Sequence, residues 1–67
     1  MSEPITPESI IELRRRLGLS QAAFASLLNS IVPGLAVNTP TVSRWEHGKH
    51  HPQGTAAAAI RHLMAVT

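Results

Sequence analysis

The stretch from Asn38 to Gly48 reads Asn-Thr-Pro-Thr-Val-Ser-Arg-Trp-Glu-His-Gly and leaves the backbone little choice. It opens with a small polar residue followed by Pro40 and Thr41. That is the chemistry of a helix start, because proline has no N–H to lose in a first turn and its fixed φ is already helical. It closes on Gly48, which can enter the left-handed conformation that ends a last turn. About two turns of helix lie between. Val42 and Trp45, three residues apart, share one face. Thr39, Pro40, Thr41, Ser43 and Arg44 are left for another surface. Such a rod plugs into a core along one stripe and presents small polar groups and one guanidinium along the other. A guanidinium fork matches two acceptors on the edge of guanine, and the Ser43 and Thr41 hydroxyls suit base edges or phosphate. The pattern implies an element that reads duplex DNA, with the remaining residues as its mount.

The mount must be small. Sixty-seven residues give one domain, 1–67, with a core from about 7 to 65. A chain of this length buries only about 60% of its unfolded surface. It has no cysteine, which excludes disulfides and thiolate metal sites. Hydrophobic residues make up 43%, mostly Ala, Leu, Ile and Val, with Phe24 and Trp45 the only aromatics. That composition suits a small all-α core better than a strand sandwich. A formal charge of +2 is compatible with nucleic acid. No apolar run approaches the ~20 residues of a membrane span. The polar, acidic start Met-Ser-Glu-Pro is unlike a signal peptide, so the expected compartment is the cytoplasm.

The other helices follow from their ends and apolar stripes. Residues 1–5 read as a frayed lead-in. Thr6 is an N-cap, Pro7 a first helical residue and Glu8 a first-turn acid. Ile10, Leu13 and Leu17 form the buried stripe, flanked by Ile11 and Arg14, and Gly18 ends the helix. Arg14, Arg15 and Arg16 complement the negative dipole end; Arg15 and Arg16 read as solvated. The second helix is expected over Leu19 to Leu28, with Ser20 as N-cap and Phe24, Leu27 and Leu28 inward. Ala25 lies where another helix must approach closely. Asn29 tolerates the left-handed conformation and is expected to end this helix. Residues 29–38 read as an irregular loop, too apolar at Ile31, Val32, Leu35 and Val37 to hang free, with a turn at Pro33-Gly34. Lys49, His50, His51 and Pro52 form a short basic connector. A final helix is expected from about Gly54 to Ala65, with Ala56, Ile60, Leu63 and Met64 inward.

Three segments in this order carry a family resemblance. Leu17 to Leu28, Leu-Gly-Leu-Ser-Gln-Ala-Ala-Phe-Ala-Ser-Leu-Leu, resembles the first two helices of the phage-repressor-like helix-turn-helix family of Cro/C1 or XRE type. Thr41 to Lys49 resembles its recognition helix with the closing glycine. His51-Pro52-Gln53-Gly54 before an apolar helix resembles the short form found in small regulators and antitoxin DNA-binding domains. The resemblance spans about residues 7 to 65. It implies a small four- to five-helix bundle, here with an extended loop between the second and third helices. It implies base contacts from Thr39, Pro40, Ser43 and Arg44, where Pro40 can offer only van der Waals contact. Gln21, Thr41, His47 and Lys49 match backbone-contact positions, with Gln21 also bracing the recognition helix. Ala25 matches the small residue at the helix crossing. Glu46 matches an acid that pairs with an arginine of the first helix, here Arg14; both, like Val42 and Trp45, read as structural. The family usually turns tightly after its second helix, whereas here about seven extra residues, Asn29 to Leu35, intervene.

Other functions fit less well. His47, His50 and His51 cluster, but zinc needs three or four ligands in fixed geometry. Flanking a glycine turn, these histidines read as phosphate-facing or exposed. Ser20 and Ser43 are better explained as cap and reader than as nucleophiles. No enzyme activity, metal or cofactor is implied. The expected partner is double-stranded DNA, with a homodimer through the last helix and apolar loop. A toxin partner, as for antitoxins of this family, is the alternative.

Overall fold

The computed structural model describes residues 5–67. The expected lead-in at residues 1–4 lies outside the described residues. Ile5, assigned to the same lead-in, instead packs half-buried against the core. Four helices and no strand are present among the described residues: α1 (Pro7–Arg16), α2 (Gln21–Ile31), α3 (Thr39–Glu46) and α4 (Gly54–Val66).

The helix ends follow local chemistry. Thr6 Oγ1 accepts from the Ser9 backbone N–H at 3.1 Å, and Ser9 Oγ accepts from the Thr6 N–H at 2.8 Å. This reciprocal cap satisfies two donors that the first turn would otherwise strand. Ser20 caps α2 by accepting from Ala23 N–H at 3.1 Å. Two helices end alike. Beyond α1, Gly18 sits at φ 70°, and the N–H groups of Gly18 and Leu19 donate to Arg15 and Arg14 carbonyls at 3.0 and 3.1 Å. Beyond α3, Gly48 sits at φ 74°, with Gly48 and Lys49 donating to Trp45 and Arg44 at 3.3 and 2.9 Å. Glycine reaches this conformation without a Cβ clash, and the paired bonds close the last carbonyls.

One core joins all four helices. It takes Ile10 and Leu13 from α1, Phe24, Ala25 and Leu28 from α2, Val42 and Trp45 from α3, and Ala56, Ala59, Ile60 and Leu63 from α4. Ile10, Phe24, Leu28, Val42 and Ile60 are fully enclosed, each contributing about 1.5–3 kcal/mol of burial. Leu17, Leu27 and Met64, expected inside, are only half-buried. α3 packs on α1 and α2, and α4 packs on the same two helices.

The second helix and its loop differ from expectation. α2 continues to Ile31, and Asn29 is helical rather than terminal. The reason is a long-range bond. Asn29 Nδ2 donates to the Val37 carbonyl at 2.8 Å, and Val37 N–H donates to Asn29 Oδ1 at 2.8 Å. The side-chain amide thus acts like a facing strand residue, pairing both backbone groups of a buried Val37. The supposed insertion is therefore partly an extra stretch of helix, and the irregular segment shrinks to residues 32–38. Val32 and Leu35 pack on the core, whereas Ile31 is exposed. Closing the loop onto the clip puts Ala36 at φ 61°, a region costly for any residue with a Cβ.

α1, α2 and α3 are also tied by a polar knot. Arg14 Nε donates to Glu46 Oε2 at 2.7 Å and Arg14 Nη2 to Oε1 at 3.2 Å, a two-point fork. Gln21 Nε2 donates to the same Oε1 at 3.1 Å, and Arg14 Nη1 donates to the Leu19 carbonyl at 3.1 Å. The Glu46 side chain is 5% exposed. Burial pushes its carboxyl up, but the hydrogen bonds from Arg14 and Gln21, with the charges of Arg14 and His47, outweigh this and hold it below the ordinary value. The Glu46 hydrogen bond raises Arg14 further, against an opposing effect of burial.

Because the folded carboxyl is lowered, its contribution is complete above the unfolded value, ~4.3, and fades as pH falls through the folded one. Glu46→Gln should therefore be less stable at neutral pH by about 1–3 kcal/mol, and the gap from wild type should close in acid, as read by thermal melts across pH. Asn29→Ala should cost about 1–3 kcal/mol by stranding the Val37 groups. Ala36→Gly should stabilise by about 1 kcal/mol and Ala36→Val should destabilise, as read by denaturant midpoints.

Candidate nucleic-acid interface

With Val42 and Trp45 buried, the rotation of α3 is fixed and its other side faces out. Thr39, Pro40, Arg44 and His47 are exposed, while Thr41 and Ser43 are half-buried. The four residues expected at base-facing positions thus lie on one short helix. Lys49 is exposed just beyond it, and Gln21 stands at the start of α2.

Charge is sorted across this helix. Glu46 is the one acid between Asn38 and Gly48, and it is turned inward to Arg14 and Gln21. Arg44, by contrast, has no ion pair or side-chain hydrogen bond among the described residues. The outer side of α3 therefore offers a free guanidinium, small groups and no carboxylate. Such a face can approach a polyanion without like-charge repulsion.

The small polar groups differ in what they still have to give. Thr41 Oγ1 donates to Asn38 Oδ1 at 2.6 Å, and Thr41 N–H donates to the same oxygen at 3.0 Å. The Thr41 hydroxyl proton is thereby engaged, and a phosphate contact from it would require breaking that bond. Gln21 uses one amide N–H on Glu46 and keeps a second. His47 Nδ1 lies 2.7 Å from the Ser43 carbonyl. A carbonyl only accepts, so Nδ1 carries a proton. The Ser43 hydroxyl, 3.4 Å from that nitrogen, is weakly engaged.

Two features go beyond the sequence reading. Asn38 serves as the α3 cap through its oxygen alone, and its Nδ2 has no acceptor among the described residues. Asparagine rather than aspartate at a cap is the signal for this, since only the amide leaves donors over. The connector is the second. Pro52 is buried, and the Arg44 carbonyl receives the N–H groups of Lys49 and His50, the latter at 3.4 Å. Thr41, Arg44, Trp45, His50, His51 and Gln53 line a surface cleft between α3 and this connector. Among the described residues no three His, Asp or Glu side chains are grouped to hold a metal, and no helix is long and apolar enough to cross a membrane.

The comparisons with known proteins agree with this geometry at the level of the family. A family model described as helix-turn-helix matches residues 10–67, from the middle of α1 through α4. No curated protein and no solved structure matches the chain. The match covers most of the chain, including both helices of the motif, the buried Val42 and Trp45 and the closing Gly48. The chain belongs to the helix-turn-helix family of Cro/C1, XRE type, a family of DNA-binding regulators.

Proposed function

We propose that the chain binds duplex DNA sequence-specifically by laying α3 in the major groove, and that it regulates transcription from the site it occupies. The observation that carries this reading is the sorting of charge on α3. Its one acid is sequestered behind the helix, and its one guanidinium stands unpaired in front. In this reading Arg44 forks onto guanine, Ser43 meets a neighbouring base edge, and Thr39 and Pro40 supply contacts at the start of the helix. Gln21, His47 and Lys49 hold backbone phosphates, and Thr41 joins them if its bond to Asn38 opens. Arg14, Glu46, Val42, Trp45 and Ala25 set the pose of α3 without touching DNA.

One such helix reaches few bases, so the proposal includes two copies on half-sites about one helical turn apart. Exposed apolar groups at Ile31, at the end of α2, and Val66, on α4, are the starting points for that pairing. The alternative is a toxin partner; the regulator reading is preferred because the charge sorting on α3 bears on DNA.

Selection of binding sites from random duplexes, with wild type and Arg44→Ala in parallel, tests this directly. Wild type should return one motif. Arg44→Ala should relax one base position at a cost of about 1–3 kcal/mol. A loss spread evenly over all sequences would remove Arg44 from base reading, and no enrichment by wild type at low salt would overturn the DNA-binding proposal.

A further inference from the structure

Asn38 is spent on the fold through one side of its amide only. Its Oδ1 accepts from the Thr41 backbone N–H at 3.0 Å and from the Thr41 hydroxyl at 2.6 Å. A backbone N–H only donates, so the atom facing it is the oxygen and the amide cannot be turned over. Both lone pairs of that oxygen are taken. Nδ2 keeps two N–H groups with no acceptor among the described residues, on a side chain that is exposed. The main chain is held on either side of it. Asn29 grips both backbone groups of Val37 at 2.8 Å, and the Asn38 carbonyl accepts from the N–H groups of Thr41 and Val42 at 3.1 and 3.2 Å. The result is a pair of fixed, uncharged donors at the leading end of α3. Donors are otherwise scarce there. Pro40 has no N–H, and the Thr41 hydroxyl proton is already engaged.

We infer that Asn38 is a specificity-determining residue: its oxygen caps α3 while its amide N–H groups donate to a base edge, and cytosine is excluded at that position. The inference rests on the reading of α3 as a groove-binding helix, whose N-terminal end meets base edges. In the major groove guanine offers two acceptors, thymine O4 and adenine N7, whereas cytosine offers only the N4 donor. A group that can only donate pairs with the first three and meets cytosine donor to donor. An unengaged asparagine reads adenine with both amide atoms. Here the oxygen is used up by Thr41, so that two-point contact is closed and the preference becomes one against cytosine. A base edge suits this amide better than a phosphate. Bonds to a phosphate are strongest from a charged donor. The first turn of α3, with Pro40 in it and the Thr41 N–H engaged, also lacks the set of free main-chain donors that holds an anion at a helix start.

The test selects binding sites from random duplexes with wild type, Asn38→Ser and Asn38→Asp, and measures the affinity and thermal melt of each. Serine and aspartate both keep a capping oxygen, so all three proteins should melt at about the same temperature. The wild-type motif should contain one position without cytosine, separate from the position that Arg44→Ala relaxes. Asn38→Ser, too short to carry the two donors outward, should admit cytosine there and bind the wild-type site about tenfold more weakly. Asn38→Asp should bind every duplex more weakly through its added charge, yet turn the same position toward cytosine, whose N4 donates to the second carboxylate oxygen. An even loss over all sequences with an unchanged motif would send the amide to phosphate and overturn base reading by Asn38. Unchanged motif and affinity in Asn38→Ser would leave it a cap alone and overturn the inference equally. Both results leave the Arg44 position, and with it groove binding, standing. A wild type that returns no motif overturns the groove-binding reading itself.

Discussion

The position of one carboxylate governs how α3 can be used. Glu46 sits in the last turn of its helix, where the dipole already places negative charge. Left on the outer side it would repel a polyanion beside Arg44. Turned inward and unpaired, it would carry a large desolvation cost. Arg14 and Gln21 resolve both problems by meeting it with three donors. Arg14 comes from α1 and Gln21 from the first residue of α2, so the solution also locks the three helices in register. An apolar replacement of similar volume could match the knot in stability, because buried ion pairs often only break even. What an apolar contact lacks is direction. A bidentate fork and an amide fix the roll of α3 about its axis more narrowly than packing alone.

The parts of this fold that were legible in the sequence are those decided within a few residues. The Thr6-Pro7 and Asn38-Thr39-Pro40 starts and the Gly18 and Gly48 stops are local chemistry, and the structure places them there. The apolar stripes of α1, α2 and α4 were legible for the same reason, as spacing alone brings Ile10 with Leu13 and Ile60 with Leu63. The end of α2 was not legible. Asn29 has the local chemistry of a helix terminator, and that preference lost to a pair of bonds with Val37, eight residues on. No window-based rule sees such a partner. The outer face of α3 was readable as a list of residues but not as a set of available donors. That Thr41 turns its hydroxyl onto Asn38, while Asn38 keeps its amide N–H groups, depends on the geometry of the cap.

The connector was the least legible segment. From sequence, Lys49 to Pro52 is a basic linker with clustered histidines. Its shape comes from the burial of Pro52 and from the bonding of two successive N–H groups to a single carbonyl, neither of which has a sequence signature.

The Asn29 clip bears on how the connection between α2 and α3 is held. Lengthening a loop costs little free energy by itself. The difficulty is mechanical, because a slack connection would let the start of α3 wander. Here the slack is removed at both ends. Extra residues at the front are absorbed as continued helix, and Val37, just before the Asn38 cap, is gripped by Asn29 through both backbone groups. Residues 32–36 lie between the clip points, so changes confined to them need not reach α3. Ala36 sits at φ 61° inside that closed segment. The anchor that holds α3 at its start is therefore the Asn29 amide, and the anchor at its end is the fork on Glu46. Between these two fixed points the buried Val42 and Trp45 leave the helix a single way to face.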